Sequence, residues 1–201
     1  MGCARWSTSA TSSRSGERPR VGFFTAATSA LLDAGARADV RHHVVLSIVG
    51  VDRVDTGYYA GKRAQEKLVL AGDVPATVLR TTQFHEFAEQ VLSMAKGPVA
   101  PVPSMRVQPV AAREVGAHLA ELALSAPQGH APELAGPEVH DLTRLVRRLL
   151  RARGSHRLVL PPLRGPTAAS RAAVGGALLP TGPGPRGRET FDEWLQARVR
   201  G

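Results

Sequence analysis

Tyr58 and Lys62 stand four residues apart near the start of a predicted helix, so both side chains project from one face of it. A neighbouring ammonium favours tyrosinate and brings a phenol within reach of proton transfer near neutral pH. Ser47 lies eleven residues before Tyr58, at the end of a predicted buried strand, where parallel sheets place their ligand crevices. The three side chains therefore predict a site for proton transfer.

The same residues have a plainer interpretation and a competing tyrosine. Tyr58 and Tyr59 also fit a partly buried aromatic pair, with Lys62 as a solvated helix residue. Tyr59 is an alternative to Tyr58 by its distance from Ser47, but Arg63 rather than a lysine lies four residues beyond it. The order strand, serine, loop, YxxxK helix and second strand favours Tyr58.

The elements that must position these side chains alternate between helix and strand. A β-branched run predicts a strand over 43–51, buried on both faces of a parallel sheet. A second strand is predicted over 76–80, followed by a loop over 81–84. Helices are predicted over 22–38, 58–70, 86–95, 114–124, 139–153 and 189–198, with a long loop over 161–188. The order predicts an α/β fold with a parallel sheet and flanking helices.

The first of these helices is predicted from apolar residues that recur along one face. Phe23, Phe24, Ala27, Leu31 and Leu32 are assigned together to this inner face. Residues 1–21 have no hydrophobic period and are predicted to be a disordered or non-native leader.

Three segments carry a resemblance to a known family. They are VRHHVVLSIVGV at 40–51, YYAGK at 58–62 and PATVLRTTQF at 75–84. With these segments, residues 23–124 resemble the second half of NmrA-like, NAD(P)-binding short-chain dehydrogenases/reductases. The LAGP segment at 134–137, followed by a helix, is similar to the family's C-terminal portion. The resemblance implies a partial Rossmann-like sheet over 22–125 and a small substrate-side region of helices and loop over 126–201.

The resemblance also implies roles for individual residues. Ser47 would polarise a carbonyl, Tyr58 would pass a proton, and Lys62 would hold the nicotinamide ribose and lower the pKa of the tyrosine. The residues beside the nicotinamide and the substrate would be Arg80, Thr81, Gln83 and Phe84. The implied cofactor is NAD or NADP, and the implied partner is a small-molecule substrate.

The glycine-rich turn of such proteins is missing from this sequence. A complete member begins with a strand and a GxxGxxG turn, whose glycines let the backbone approach a pyrophosphate. No such pattern occurs here, and the resemblance implies about four further strands before residue 23. A truncated or frame-shifted product is therefore one hypothesis. The strand at Val44 would then have an open edge, which invites aggregation, a second copy or a partner chain.

Composition excludes several other classes of protein. Cys3 is the only cysteine, and the seven histidines are scattered without an HExxH pattern, so neither a disulfide framework nor a metal site is expected. No apolar run approaches the roughly 20 residues that a membrane helix needs, and cytoplasmic localisation is expected. The net charge of +9 comes mostly from dispersed arginines, which disfavours nucleic-acid binding. Ser47 also lacks the GxSxG elbow of a hydrolase.

These observations leave three hypotheses for function. The first is an NAD(P)-dependent oxidoreductase-like protein built around Ser47, Tyr58 and Lys62. The second is a regulatory protein that binds a nucleotide without turning it over. The third is a non-functional fragment, which predicts poor solubility and no affinity for a nucleotide.

Overall fold

The computed structural model describes residues 17–54, 57–160 and 167–200. In chain order its elements are α1 (Glu17–Arg37), β1 (His43–Ile48), α2 (Gly57–Ala71), β2 (Ala76–Thr81), α3 (Phe87–Met94), β3 (Val99–Ala100), β4 (Arg106–Val107), α4 (Ala112–Leu124), β5 (Gly129–His130), β6 (His140–Asp141), α5 (Leu142–Ala152), β7 (Leu158–Val159), α6 (Ala168–Val174) and α7 (Phe191–Arg200). From α1 to α3 the elements follow the predicted alternation of helices and strands, and five short strands that the sequence did not predict come after them.

Helix α1 begins earlier and buries less than the sequence predicts. It starts at Glu17, so residues 17–21 of the predicted leader are helical, while residues 1–16 lie outside the described residues. Thr28 is buried and Phe24 and Leu32 are half-buried, whereas Phe23 and Leu31 are 70% and 60% exposed. The assignment of Phe23, Leu31 and Ala27, which is also exposed, to the inner face is therefore wrong, because the inner stripe repeats every four residues.

The predicted long loop over 161–188 contains a helix, so that prediction is wrong in part. Helix α6 covers Ala168–Val174, and Thr167 caps it by accepting a hydrogen bond from the Ser170 N–H on its hydroxyl oxygen. A capping threonine satisfies one of the N–H groups that a helix start leaves without a partner. Residues 161–166 of the predicted loop lie outside the described residues.

The central sheet is parallel, in the order β1–β2–β5. Strand β1 pairs with β2 from His43 opposite Ala76 to Ile48 opposite Thr81. The His43 N–H donates to the Pro75 carbonyl. The N–H and C=O groups of the odd-numbered residues of β1 therefore point toward β2. The even-numbered groups consequently point to the other edge, where the sheet has no further strand among the described residues.

Side chains alternate across this sheet and build two clusters. Val45 and Val78 pack with Val69 of α2 on one face. Leu79 packs with Val115 of α4 on the opposite face. Ser47 and Arg80 share the parity of Val45 and Val78, so their side chains leave the sheet on the α2 side.

A third cluster joins α3, α5 and α7. It combines Val91 and Val107 with Leu145 and Trp194, residues that lie far apart in the chain. Packing therefore crosses the predicted boundary between residues 125 and 126. Strand β5, which lies after that boundary, also pairs with β2, which lies before it. The division into 22–125 and 126–201 stays a prediction.

Helices α1 and α2 meet at a glycine. A Cβ atom at Gly61 of α2 would overlap the Phe24 ring of α1, whereas a Cβ at Gly116 of α4 would meet nothing within 4 Å. Close helix contact of this kind requires a residue without a side chain at the crossing point. Gly61 thereby sets the distance between α1 and α2.

We expect Gly61→Ala to lower the free energy of unfolding by about 1–2 kcal/mol, because overpacking outweighs the gain in helix propensity. Gly116→Ala is the matched control, since it gives the propensity gain alone, and we expect it to raise stability by about 0.5–1 kcal/mol. Chemical denaturation of both variants measures the difference. Equal effects of the two substitutions would contradict the close contact.

Candidate active site

Ser47 occupies the end of β1 with an unsatisfied hydroxyl. The residue is 2% exposed, and its Oγ has no hydrogen-bond partner among the described residues. A buried polar group without a partner costs about 1–3 kcal/mol, so it is rare unless something else binds there. The Ser47 hydroxyl is therefore available to a polar atom of a ligand.

Lys62 is held against the open edge of β1. Its ammonium donates hydrogen bonds to the Leu46 carbonyl at 3.0 Å and to Gln65 Oε1 at 2.9 Å. The Gln65 amide in turn donates to the buried Thr28 hydroxyl of α1 at 3.2 Å. Burial lowers the pKa of Lys62. These contacts hold the ammonium next to Leu46, the residue before Ser47.

Phe24 links Tyr58 to Lys62. Its ring lies edge-on to the Tyr58 ring at a centroid distance of 5.7 Å, and Lys62 Nζ lies 5.3 Å from the same centroid. Aromatic and cation–π contacts of this geometry each contribute about 0.5–1 kcal/mol. Sequence reasoning placed Phe24 on a helix face but missed this contact, because it depends on the packing of α1 against α2.

The two adjacent tyrosines differ in exposure. Tyr58 is 44% exposed. Tyr59 is half-buried, and burial, followed by the neighbouring Tyr58, raises the pKa of its phenol to about 12. Tyr59 consequently stays protonated at neutral pH and cannot serve as a base there. Of the two candidates, Tyr58 is the one that shares the Phe24 ring with Lys62.

Arg80 is engaged in an ion-pair network. Its guanidinium contacts Glu66 through two hydrogen bonds, at 2.9 and 2.7 Å, and contacts Asp52 at 3.1 Å. Glu66 is 5% exposed, and its hydrogen bond with Arg80 raises the pKa of the guanidinium. The network joins α2 to the ends of β1 and β2. A contact between Arg80 and a cofactor stays a prediction, and it would have to form beside these two carboxylates.

The three remaining predicted residues, Thr81, Gln83 and Phe84, lie at the end of β2 and just after it. Thr81 is buried and forms a bridge with Leu134, and Phe84 is half-buried in the cluster beneath α4. Gln83 differs, because both atoms of its side-chain amide are buried without a hydrogen-bond partner in the described part of the chain. The Gln83 amide therefore offers a donor and an acceptor at the same end of the sheet as the Ser47 hydroxyl.

This end of the sheet has groups that fit the nicotinamide riboside part of a dinucleotide. The Lys62 ammonium has three N–H donors and uses two of them for Leu46 and Gln65, which leaves one for a ribose hydroxyl. The unpaired amide of Gln83 matches a carboxamide, which also carries one donor and one acceptor function. Lys62 would hold the ribose, and Gln83 would bind the carboxamide.

The pyrophosphate part does not fit the glycine-rich turn that the chain does contain. Gly182, Gly184 and Gly187 have GxGxxG spacing ahead of α7. Backbone N–H groups just after this turn, at Arg188 and Glu189, already donate to the carboxylate of Glu114, at 2.8 and 3.2 Å. These two N–H groups are therefore already paired with a carboxylate of the chain and are not free to bind a phosphate.

The described ranges contain neither a candidate metal site nor a membrane-spanning helix. No group of three or more histidine, cysteine, aspartate or glutamate side chains there could hold a metal ion. No helix in those ranges is both long and apolar enough to cross a membrane.

Comparisons with known proteins identify the fold. No protein-family model and no curated protein matches the sequence. Solved structures do match, at low identity. An NADPH-dependent quinone oxidoreductase from Escherichia coli is 17% identical with a TM-score of 0.62, over 83% of this chain and 70% of that protein. A UDP-glucose 4-epimerase from Thermotoga maritima is 12% identical with a TM-score of 0.64, over 96% and 74%.

A third solved structure carries a bound dinucleotide. It is a short-chain dehydrogenase/reductase superfamily protein from Agrobacterium tumefaciens with bound NAD, 16% identical to this chain, with a TM-score of 0.58 over 98% of this chain and 76% of that protein. Likenesses at such identity concern the fold alone. The predicted α/β fold, a Rossmann-like parallel sheet with flanking helices, is confirmed.

Proposed function

We propose that this chain is an NAD(P)-dependent oxidoreductase-like protein of the NmrA-like kind, with Ser47, Tyr58 and Lys62 as its catalytic residues. One observation carries the proposal. The buried, unpaired hydroxyl of Ser47 directly follows the carbonyl of Leu46, to which the Lys62 ammonium is hydrogen-bonded. The hydroxyl belongs to Ser47 and the ammonium contacts Leu46, so the two groups are associated with adjacent residues near the carboxyl end of a parallel strand, where ligands bind in open α/β sheets.

Each of the three residues has a distinct role in this proposal. The Ser47 hydroxyl donates a hydrogen bond to the oxygen of a substrate carbonyl or hydroxyl group. Tyr58 passes a proton to or from that oxygen. When bound, the nicotinamide cofactor supplies or accepts the hydride. Lys62 holds the ribose through its third N–H group.

Partial burial of the site supports these roles. Lys62 has a lowered pKa because it is partly withdrawn from water, and electrostatic interactions are stronger in such a place. Gln65 and Thr28 hold the ammonium in one orientation, which lessens the cost of arranging it during reaction. The Lys62 ammonium and the Tyr58 ring both contact the Phe24 ring, which ties the two side chains to one residue of α1.

A second candidate is a regulatory protein that binds the nucleotide without turnover. The observation that favours it is the use of two Lys62 donors by Leu46 and Gln65, which holds the ammonium at the sheet edge. Both candidates require nucleotide binding. They differ in catalysis. An oxidoreductase loses its reaction when Tyr58 is replaced, whereas a regulatory protein catalyses no reaction with or without Tyr58.

The first test is thermal unfolding of the purified chain with and without millimolar NADPH or NADH. Binding at 100 times the dissociation constant stabilises the native state by about 2.7 kcal/mol, which raises the midpoint by roughly 5–10 °C in a domain of this size. We expect Lys62→Met to lose most of this shift. Lys67→Met is the matched control, because Lys67 is an exposed lysine of the same helix. No shift for the unmodified chain would end both candidates.

The second test separates catalysis from binding. Consumption of NADPH is followed with a panel of ketones, aldehydes and quinones, for the unmodified chain and for Tyr58→Phe. We expect Tyr58→Phe to keep the thermal shift and to lower the rate at least about a hundredfold, as the removal of a proton donor does. A nucleotide shift without consumption of NADPH for any compound would favour the regulatory protein.

A further inference from the structure

A cavity of about 430 Å³ lies beyond the end of β1. It is bounded by Val54 after that strand, by Tyr59 at the start of α2, by the 101–105 segment and by α6. Pockets for small molecules have volumes of roughly 300–1,000 Å³, so this cavity has the right size for one. None of the predicted site residues lines it, although Tyr59 directly follows Tyr58.

The lining of the cavity is apolar and uncharged. Its apolar members are Val54, Pro101, Pro103, Met105, Ala169, Ala173 and Leu178. No lysine, arginine, aspartate or glutamate belongs to the lining that the described residues provide. A ligand with phosphate or carboxylate groups would lose its hydration there without gaining a counter-charge, which is costly. The lining therefore favours an uncharged ligand with a large apolar part.

Hydroxyl groups supply the polar contacts of the cavity. Thr167 and Ser170 hydrogen-bond to each other at the start of α6, at 2.9 Å, which uses one of their two O–H donors. Tyr59 and Ser104 supply the other two side-chain hydroxyls of the lining. Because the Tyr59 phenol keeps its proton at neutral pH, it acts as a hydrogen-bond donor.

We infer that this cavity binds an uncharged, mainly apolar compound with a carbonyl or hydroxyl oxygen, other than the reacting oxygen of the proposed function, that accepts a hydrogen bond from Tyr59. The inference defines the substrate class of the proposed reaction, and calling the ligand a substrate rests on the proposed function. It excludes sugar nucleotides and other phosphorylated compounds from the cavity, since the lining has no cation to bind their phosphates.

Two naphthalene probes test the inference by calorimetric titration of the full chain without nucleotide. They share one ring system, and 2-naphthol is neutral whereas naphthalene-2-sulfonate is an anion. We expect saturable 1:1 binding of 2-naphthol and at least tenfold weaker binding of the sulfonate. Equal affinities for the two probes, or no binding of 2-naphthol, would overturn the inference.

Two substitutions locate the bound probe. Ala169→Leu fills part of the cavity, and we expect it to weaken 2-naphthol binding at least tenfold. Ala168→Leu is the matched control, because Ala168 is exposed and does not line the cavity. Tyr59→Phe removes one neutral hydrogen bond and should weaken binding about threefold to tenfold. Unchanged binding by both Ala169→Leu and Tyr59→Phe would place the probe elsewhere and overturn the assignment.

The titration also separates this inference from the proposed function. Binding of 2-naphthol without any thermal shift by NADPH or NADH would leave the cavity assignment intact and end the proposed oxidoreductase. A thermal shift by NADPH or NADH without 2-naphthol binding would leave the proposed oxidoreductase intact and overturn the cavity assignment. Circular dichroism of each variant confirms that it is folded before it is titrated.

Discussion

Replacement of Gly50 by alanine is expected to lower the free energy of unfolding by about 3–5 kcal/mol. Gly50 has φ +84°, which an L-residue adopts at a cost of about 1–2 kcal/mol. A Cβ atom there would also overlap the Ala177 carbonyl oxygen and press on Leu178. Backbone atoms cannot rotate away as a side chain can, so the turn after β1 or the segment after α6 must move.

Gly97 provides the matched control for this prediction. It has the same φ of +84°, but nothing lies within 4 Å of its hypothetical Cβ. Gly97→Ala should therefore cost only the conformational part, about 1–2 kcal/mol. Urea denaturation of the two variants gives the contribution of the Ala177 contact by difference. Equal losses would show that the segment after α6 yields freely to the added methyl group.

Glu66→Gln is expected to cost about 3 kcal/mol of unfolding free energy. Glu66 is 5% exposed and accepts two hydrogen bonds from Arg80, so the neutral amide leaves a guanidinium without its buried counter-charge. Asp52→Asn is the control, because Asp52 holds the same guanidinium with its side chain 55% exposed. Exposed pairs contribute about 0–1 kcal/mol, so the control should change little.

A double replacement tests whether an unpaired charge causes that loss. In Glu66→Leu with Arg80→Met, neither ion remains, and apolar side chains of similar volume often restore stability. We expect the double variant to be more stable than Glu66→Leu alone, by guanidinium chloride denaturation. A double variant that loses the sum of the two single losses would contradict the ion-pair explanation.

The sheet and the helices around it were predictable because their signals are local. The β-branched run at 43–51 contains β1, the segment at 76–80 covers all of β2 except its last residue, Thr81, and the YxxxK segment lies on α2. Strand β1 ends at Ile48, three residues before the run ends. The reason is the turn at Gly50, where the Val51 N–H donates back to the Ile48 carbonyl.

The partners of the predicted site residues were not predictable. Lys62 contacts the Leu46 carbonyl, and Arg80 contacts Glu66, through the packing of α2 on the sheet. A single sequence without its tertiary contacts gives the residue types at a site but not these pairings. The face of α1 was misassigned for a related reason, since Phe23 and Phe24 are adjacent and only packing decides which one turns inward.

The cavity was also beyond reach of the sequence. Its walls come from the 101–105 segment and from α6, and α6 lies in a stretch whose repeated proline and glycine indicate loop. Alanine-rich helices as short as α6 give a weak periodic signal and depend on tertiary contacts for stability.

The cluster that joins α3, α5 and α7 constrains the order in which the protein can mature during synthesis. Val91 and Val107 belong to the same cluster as Trp194 and Leu195, close to the end of the described chain. A ribosome adds roughly 5–20 residues per second, so the intervening stretch of about 90 residues takes on the order of 5–20 s. During that interval the cluster lacks the part that α7 contributes, so the apolar surface that Trp194 and Leu195 cover is accessible to chaperones on the nascent chain.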